Sequence, residues 1–315
     1  MTLVMRGSGY NMFMKTKNNS KLKRRIFYDI LIFVFVVGMI LSAFYVFKVK
    51  HEDKKAIKEY DNLVVESKVS KTSKKKKKIV KDEELSFLDP YLFRNINYDR
   101  LKSINSDFDS WLYFPGTSFD YPVVRERYVG SYFYNMKSFY GRYNGCGTPL
   151  IPKSDDGKDF RTLILGHRMI NYYGSKDYVF SNLPKRWGYK QGGINNRYFY
   201  TYEKDRTIKW KLWAAISTTG SDMIYQTPYK KGSEDYDRLL KHCENIARYT
   251  IGQRPDSYTP TLMLSTCSRR SDDINVGRFA LVLVPDMIYD KQKVEVIYYD
   301  DVWNENLWTE QQNAL

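Results

Sequence analysis

The chain predicts a mostly-β fold: a closed or nearly closed barrel with one inserted helix, set behind a membrane-spanning segment. Three observations carry this. Nine short runs rich in aromatic and β-branched residues are separated by Gly, Asp, Asn or Pro clusters, the pattern of short strands joined by tight connections. One amphipathic stretch, residues 236–251, interrupts them, with Leu239, Leu240, Cys243, Ile246 and Ala247 on one helical face. Residues 30–47 form an eighteen-residue run without a charge, about the length needed to cross a bilayer core.

Residues 1–25 are a basic N-terminus and residues 26–47 the membrane anchor. The apolar run is longer than the core of a typical cleaved signal, and no small-x-small site follows it. Lys15, Lys17, Lys21, Lys23, Arg24 and Arg25 precede it, which by the positive-inside rule places the N-terminus in the cytoplasm. Lys48, Lys50, Lys54 and Lys55 follow it, so charge alone does not fix the orientation. Residues 48–84 read as a lysine-rich tether, including five consecutive lysines at 74–78. Such a segment has too little apolar surface to fold and is expected to stay extended and solvated. It is either a spacer or a patch drawn to anionic lipid or wall polymer, at about 1 kcal/mol per lysine near the surface. Of the net charge of +15, residues 1–84 carry +11 and residues 85–315 only +4. The basic excess therefore belongs to the anchor flanks and tether, and argues against a nucleic-acid-binding domain.

The folded domain takes residues 85–315. Residues 89–106 predict one or two short helices, with Leu92, Ile96, Leu101 and Ile104 as the apolar positions. Strands are expected at 111–114 and 119–124, with Pro115-Gly116 in the middle of a type II turn. Further strands are expected at 150–152, 161–165, 197–202, 207–217, 261–266, 278–284 and 294–299.

The chemistry gathers at strand ends. Thr261-Leu262-Met263-Leu264-Ser265-Thr266-Cys267 is an apolar strand that delivers a cysteine. Eleven residues later Arg278 opens another, and one hundred residues upstream Leu163-Ile164-Leu165-Gly166-His167 ends on a histidine. A thiol, an imidazole and a guanidinium so placed make a nucleophile, a base and an anion stabiliser. Elimination supports this choice. Of the three histidines, His51 lies in the tether, and His242 adjoins Cys243 on a helix where neighbours point about 100° apart. Three cysteines cannot all pair; Cys243 reads as a buried helix residue, Cys146 sits in a turn, and a Cys146–Cys243 bridge rests on arithmetic alone. Asp155-Asp156-Gly157-Lys158-Asp159 lacks the length and terminal glutamate of a calcium loop and reads as a polar turn. No zinc cluster or phosphate-binding glycine loop is present, and no cofactor or metal is expected.

These stretches together resemble the sortases, the cysteine transpeptidases of bacterial cell surfaces. Asp109-Ser110-Trp111-Leu112-Tyr113-Phe114-Pro115-Gly116-Thr117-Ser118-Phe119-Asp120-Tyr121-Pro122-Val123-Val124 resembles the opening hairpin of class B, and Tyr132-Phe133-Tyr134 through Phe139-Tyr140-Gly141 its next segment. The resemblance spans residues 85–300. Papain-like enzymes and caspases fit poorly, since the histidine here comes first and the cysteine context differs. The Ser-x-Gly-Cys stretch of L,D-transpeptidases is replaced by Leu-Ser-Thr-Cys.

The resemblance implies an eight-stranded barrel with N-terminal helices and a helix before the cysteine strand. It implies a single-pass membrane protein with its catalytic domain outside the cell. It implies catalysis by His167, Cys267 and Arg278, with Ser265 and Thr266 lining a substrate groove or merely packing the strand end. The implied partners are surface proteins bearing a C-terminal sorting motif, an amine acceptor (a peptidoglycan cross-bridge or a pilin lysine) and the bilayer. The spacing from Cys267 to Arg278 is longer than in better-known relatives, which leaves Arg269 and Arg270 as competitors; Arg278 is favoured because it opens the apolar strand. The other reading is a non-catalytic barrel module that binds wall peptides, with Cys267 a buried strand residue.

Overall fold

A computed structural model describes residues 8–68, 89–153, 160–168, 179–226, 228–267 and 277–299. The chain divides into two compact units, residues 1–54 and 55–315. The first is helical. Helix α1 (Ser8–Glu66) contains the stretch Leu22–Glu52, long and apolar enough to cross a membrane and nowhere buried. The helix continues through part of the span read as a tether. In the second unit its last turns place Tyr60 and Leu63 in the core, 4% and 1% exposed. Tyr60 stacks edge-on against Tyr121 and donates its hydroxyl to the Gly147 carbonyl. The lysine run at 74–78 lies outside the described residues.

After helix α2 (Tyr98–Ile104) the chain is β-rich: β1 (Phe108–Tyr113), β2 (Asp120–Arg125), β3 (Leu150–Ile151), β4 (Arg161–Leu165), β5 (Tyr198–Tyr202), β6 (Arg206–Thr219), β7 (Ala247–Thr250), β8 (Thr261–Cys267), β9 (Gly277–Asp290) and β10 (Glu295–Tyr298). Eight of them close a barrel in the order β9–β8–β4–β3–β2–β1–β5–β6, with β6 pairing back to β9. The expected eight-stranded barrel is therefore present. The long strands β6 and β9 make closure possible. Each carries an extra short neighbour, β7 on β6 and β10 on β9. The β1–β2 connection is the expected turn: Gly116 has φ +70° and Thr117 N–H bonds the Phe114 carbonyl at 3.3 Å, the left-handed third position of type II.

Successive strand residues point to opposite faces, and the barrel buries both. Leu262, Leu264, Phe279, Leu281 and Leu283 point into an interior packed with Trp111, Phe114, Phe119 and Phe199. Leu163, Met263, Ala280 and Val282 point outward, under helix α5 (Glu234–Asn245), which lays Tyr236, Leu239, Leu240 and Cys243 on them. Each fully buried large apolar side chain contributes about 1.5–3 kcal/mol, so this outer layer is a second core. Ser233 caps α5, accepting from Tyr236 N–H at 3.2 Å, and acidic residues fill its first turn.

Two expected elements end elsewhere. The helix expected over 236–251 starts at Glu234 and stops at Asn245, because residues 247–250 leave it to pair with β6 as β7. The strand expected to stop at Val284 runs on to Asp290, with Pro285 placed opposite Trp210 where the register shifts, a position that needs no ladder N–H. Two short helices, α3 (Leu183–Trp187) and α4 (Lys190–Asn195), precede β5.

Candidate active site

Strand parity decides which side chains share a face. In β8, Cys267 has the parity of the outward-facing Met263; in β9, Arg278 has that of Ala280 and Val282. In β4, Leu163 faces outward, and continuing the alternation places His167, two residues past the strand, on the same side. The three strands are neighbours in the order β9–β8–β4. Cys267 and Arg278 are direct register partners, and Arg278 Nη1 donates to Cys267 Sγ at 3.4 Å. The thiol is half-buried.

The parallel pairing of β4 with β8 ends at Leu165 opposite Ser265, and Gly166 N–H extends it to the Ser265 carbonyl at 3.1 Å. His167 thus stands at the same level as Cys267 on the adjoining strand. Its Nε2 lies 2.7 Å from the Asn135 carbonyl. Among the described residues no hydrogen bond links His167 to Cys267. The structure therefore brings Cys267 and Arg278 into contact and holds the imidazole from the neighbouring strand end.

The two groove candidates separate. Ser265 shares the outward face of Cys267 but is 1% exposed, its Oγ hydrogen-bonded to the Tyr225 hydroxyl at 2.7 Å. Thr266 has the opposite parity and is 3% exposed, with its Oγ1 buried and without a partner among the described residues. Tyr225 is a site residue the sequence did not reveal. Burial pushes its hydroxyl up to about 12; the Ser265 hydrogen bond and nearby Arg278 act against that rise, while Asp222 and Cys267 add to it. It ends the 3-10 turn Met223–Tyr225, which Asp222 caps by accepting from Ile224 N–H at 3.0 Å. An Asp three residues before a tyrosine after a strand was the available signal.

Among the described residues, none of the remaining candidates hydrogen-bonds the Cys267 thiol. His242 bonds Asp222 from α5, and Cys243 beside it is fully buried, its thiol pushed up to about 12 by burial first and Asp222 second. Cys146 and Cys243 are not joined by a disulfide and lie in separate clusters of the core. His51 is exposed on α1. Arg269, Arg270 and the loop containing Asp155 and Asp159 lie outside the described residues. Among the described residues no three His, Cys, Asp or Glu side chains gather as for a metal ion.

The closed eight-stranded barrel has the fold of solved sortase structures. More narrowly, the fold is that of the class B sortases. Sortase B of Clostridium perfringens aligns with a TM-score of 0.52 at 24% identity, over 59% of this chain and 98% of its own. A Staphylococcus aureus sortase B–substrate complex aligns with a TM-score of 0.57 at 17% identity, over 79% of this chain and 99% of its own. The S. aureus enzyme complexed with MTSET gives 0.56 at 18%, over 74% and 89%. No family model and no curated protein matches the sequence.

Proposed function

We propose that the chain is a membrane-anchored cysteine transpeptidase of the class B sortase type. The observation that carries the reading is the Cys267–Arg278 pair on the outer barrel face, with His167 at the same level on the adjoining strand. In this reading Cys267, as thiolate, attacks the threonine carbonyl of a sorting peptide. A C–S bond forms, and the peptide C–N bond then breaks. His167 as imidazolium gives its proton to the departing amine, leaving a thioacyl enzyme. An incoming amine attacks the thioester, His167 takes its proton, and the thiolate leaves. Arg278 is permanently charged, and its planar fork suits the developing oxyanion or the substrate backbone. Tyr225 and Ser265 form the groove wall beside the sulfur.

The apolar stretch of α1 anchors the enzyme once in the cell membrane, with the basic N-terminus inside and the barrel outside. Its partners are then surface proteins carrying a C-terminal sorting motif and an amine acceptor, either a peptidoglycan cross-bridge or a pilin lysine. The test uses the full chain in detergent with a threonine-containing peptide library, read by mass spectrometry. A thioacyl adduct on Cys267 and cleavage on the carboxyl side of threonine are expected. Cleavage that persists in Cys267→Ala would overturn the reading. An unreactive Cys267 with peptide binding intact would favour the non-catalytic wall-peptide module.

A further inference from the structure

The turn Met223–Tyr225 is too short to hold itself: a 3-10 turn of three residues has few hydrogen bonds of poor geometry. Side chains from outside pin its backbone. Tyr229 donates its hydroxyl to the Met223 carbonyl at 2.6 Å. Arg161, fully buried at the start of β4, donates Nη1 to the Ile224 carbonyl, with its guanidinium 5.3 Å from the Tyr229 ring centroid. Asp222 accepts from Ile224 N–H at 3.0 Å and from the Thr218 hydroxyl on β6, and Thr218 is the register partner of Arg278. The turn is thereby tied to β4, which leads to His167, and to β6, whose Thr218 lies across the ladder from Arg278.

One anchor comes from elsewhere. His242 Nε2 lies 3.0 and 2.9 Å from the two oxygens of Asp222. It sits in the last turn of α5, whose neighbouring residues Leu239, Leu240 and Cys243 are locked into the outer core. The His242 side chain is 32% exposed against 9% for Asp222, so it closes the carboxylate off from solvent. A donor centred on both oxygens fixes the rotation of the carboxylate, and that rotation aims Oδ1 at the turn. Burial is the largest influence on Asp222 and works to raise it, yet Thr218, Ile224 N–H and His242 together hold its carboxyl below the ordinary range. The carboxylate is thus preorganised as an anion.

We infer that His242 is a positioning residue for the groove wall: through Asp222 it holds the Met223–Tyr225 turn where the Tyr225 hydroxyl meets Ser265 beside Cys267. Its effect on turnover rests on the transpeptidase reading; its effect on the turn does not. Losing the contact frees the carboxylate to rotate toward water, so the turn samples open positions without disturbing the sulfur, Arg278 or His167. Substrate binding weakens while the chemical step is kept.

The experiment compares the full-length wild type in detergent with His242→Ala and His242→Gln, the latter retaining an N–H donor at a similar reach. Hydrogen–deuterium exchange is followed at residues 222–226, with residues 234–241 of α5 as the internal control. Kinetics use a quenched-fluorescent peptide pool fixed at threonine, and iodoacetamide alkylation reads Cys267. His242→Ala is expected to speed exchange in the turn and leave α5 unchanged. The half-saturating peptide concentration should rise about 3–10-fold, the size of one ordinary hydrogen bond lost behind the groove wall. The maximal rate and the alkylation rate should stay within twofold, an estimate of roughly equal chemistry, and His242→Gln should restore the binding. Unchanged exchange in the turn, a lowered maximal rate at constant half-saturation, or a Gln variant that behaves like Ala would each overturn the inference. Faster turn exchange in a chain whose wild type cleaves no member of the pool supports the strut and sinks the transpeptidase reading instead.

Discussion

Arg278 stands directly across the β8–β9 ladder from Cys267, with its Nη1 3.4 Å from the sulfur. The contact follows from register and parity, so it does not depend on the connection between the two strands. That connection contains Arg269 and Arg270, the competing cations. Arg278→Lys keeps the charge and loses the planar fork, and is expected to slow thioacyl formation about 10²–10³-fold, the range for removing an anion-stabilising donor. His167→Ala should cost about 10²–10⁴, and Cys267→Ala should abolish both cleavage and transfer, since Cys146 and Cys243 are buried. Arg269→Ala and Arg270→Ala should be mild. Single-turnover adduct formation on variants shown to be folded is the measurement. An inactive Arg270→Ala beside an active Arg278→Ala would move the anion stabiliser.

The end of α1 alters where the barrel can be cut free. Tyr60 and Leu63 are core residues, so a chain starting at residue 85 loses them, whereas one starting at Lys55, the boundary of the second unit, keeps them. At about 1.5–3 kcal/mol for each buried side chain, the shorter chain should unfold at clearly lower urea and temperature. Both should retain thiol-dependent cleavage when folded, because the site lies on β4, β8 and β9. Equal urea midpoints for the two chains would show that the helix end adds nothing to the core.

Most of the barrel was legible because its strands declare themselves. Thr261 through Cys267 is apolar on both faces, as a strand packed between an interior and an outer helix must be. What was lost lay where two signals overlap. Ile246 and Ala247 continue the apolar face of α5, so helical periodicity hid the strand that begins at Ala247. Pro285 reads as a strand end and is tolerated only because the β6 register shifts opposite it. Helices α3 and α4 are one or two turns long, and α4 contains Gly192 and Gly193, so no periodicity could develop. Cys267, His167 and Arg278 were visible as strand-end residues. Tyr225 was not, because its place depends on Asp222, Arg161 and Tyr229 meeting from distant parts of the chain.

The lysines at 74–78 test the role of the connecting segment. If they bind an anionic surface, changing all five to Gln should weaken association of the chain, from Lys55 onward, with anionic vesicles. The difference should shrink as salt rises, since exposed charges are screened within about 8 Å at physiological ionic strength. Equal sedimentation with vesicles at low salt would leave the spacer role.

Asp222 makes a prediction about acid stability. Burial would raise its carboxyl, but hydrogen bonds from Thr218, Ile224 N–H and His242 outweigh that and hold it below its ordinary value of 3.8. A carboxyl depressed in the folded state binds protons less readily there than in the unfolded chain. Its contribution is therefore fully present above 3.8 and is lost as pH falls through the depressed folded value. Asp222→Asn keeps the shape, removes the charge, and turns an N–H toward donors that need an acceptor. The variant should unfold at lower urea than the wild type at pH 7 and at pH 5, by a similar margin. Below the ordinary carboxylate value the margin should narrow, because the wild type then loses what the variant already lacks. Urea midpoints by tryptophan fluorescence on the full chain in detergent, with Trp187 and Trp213 buried in the folded barrel, supply the readout. A margin that widens with acid would mean that the carboxyl is raised rather than lowered on folding, and that burial wins over its three donors.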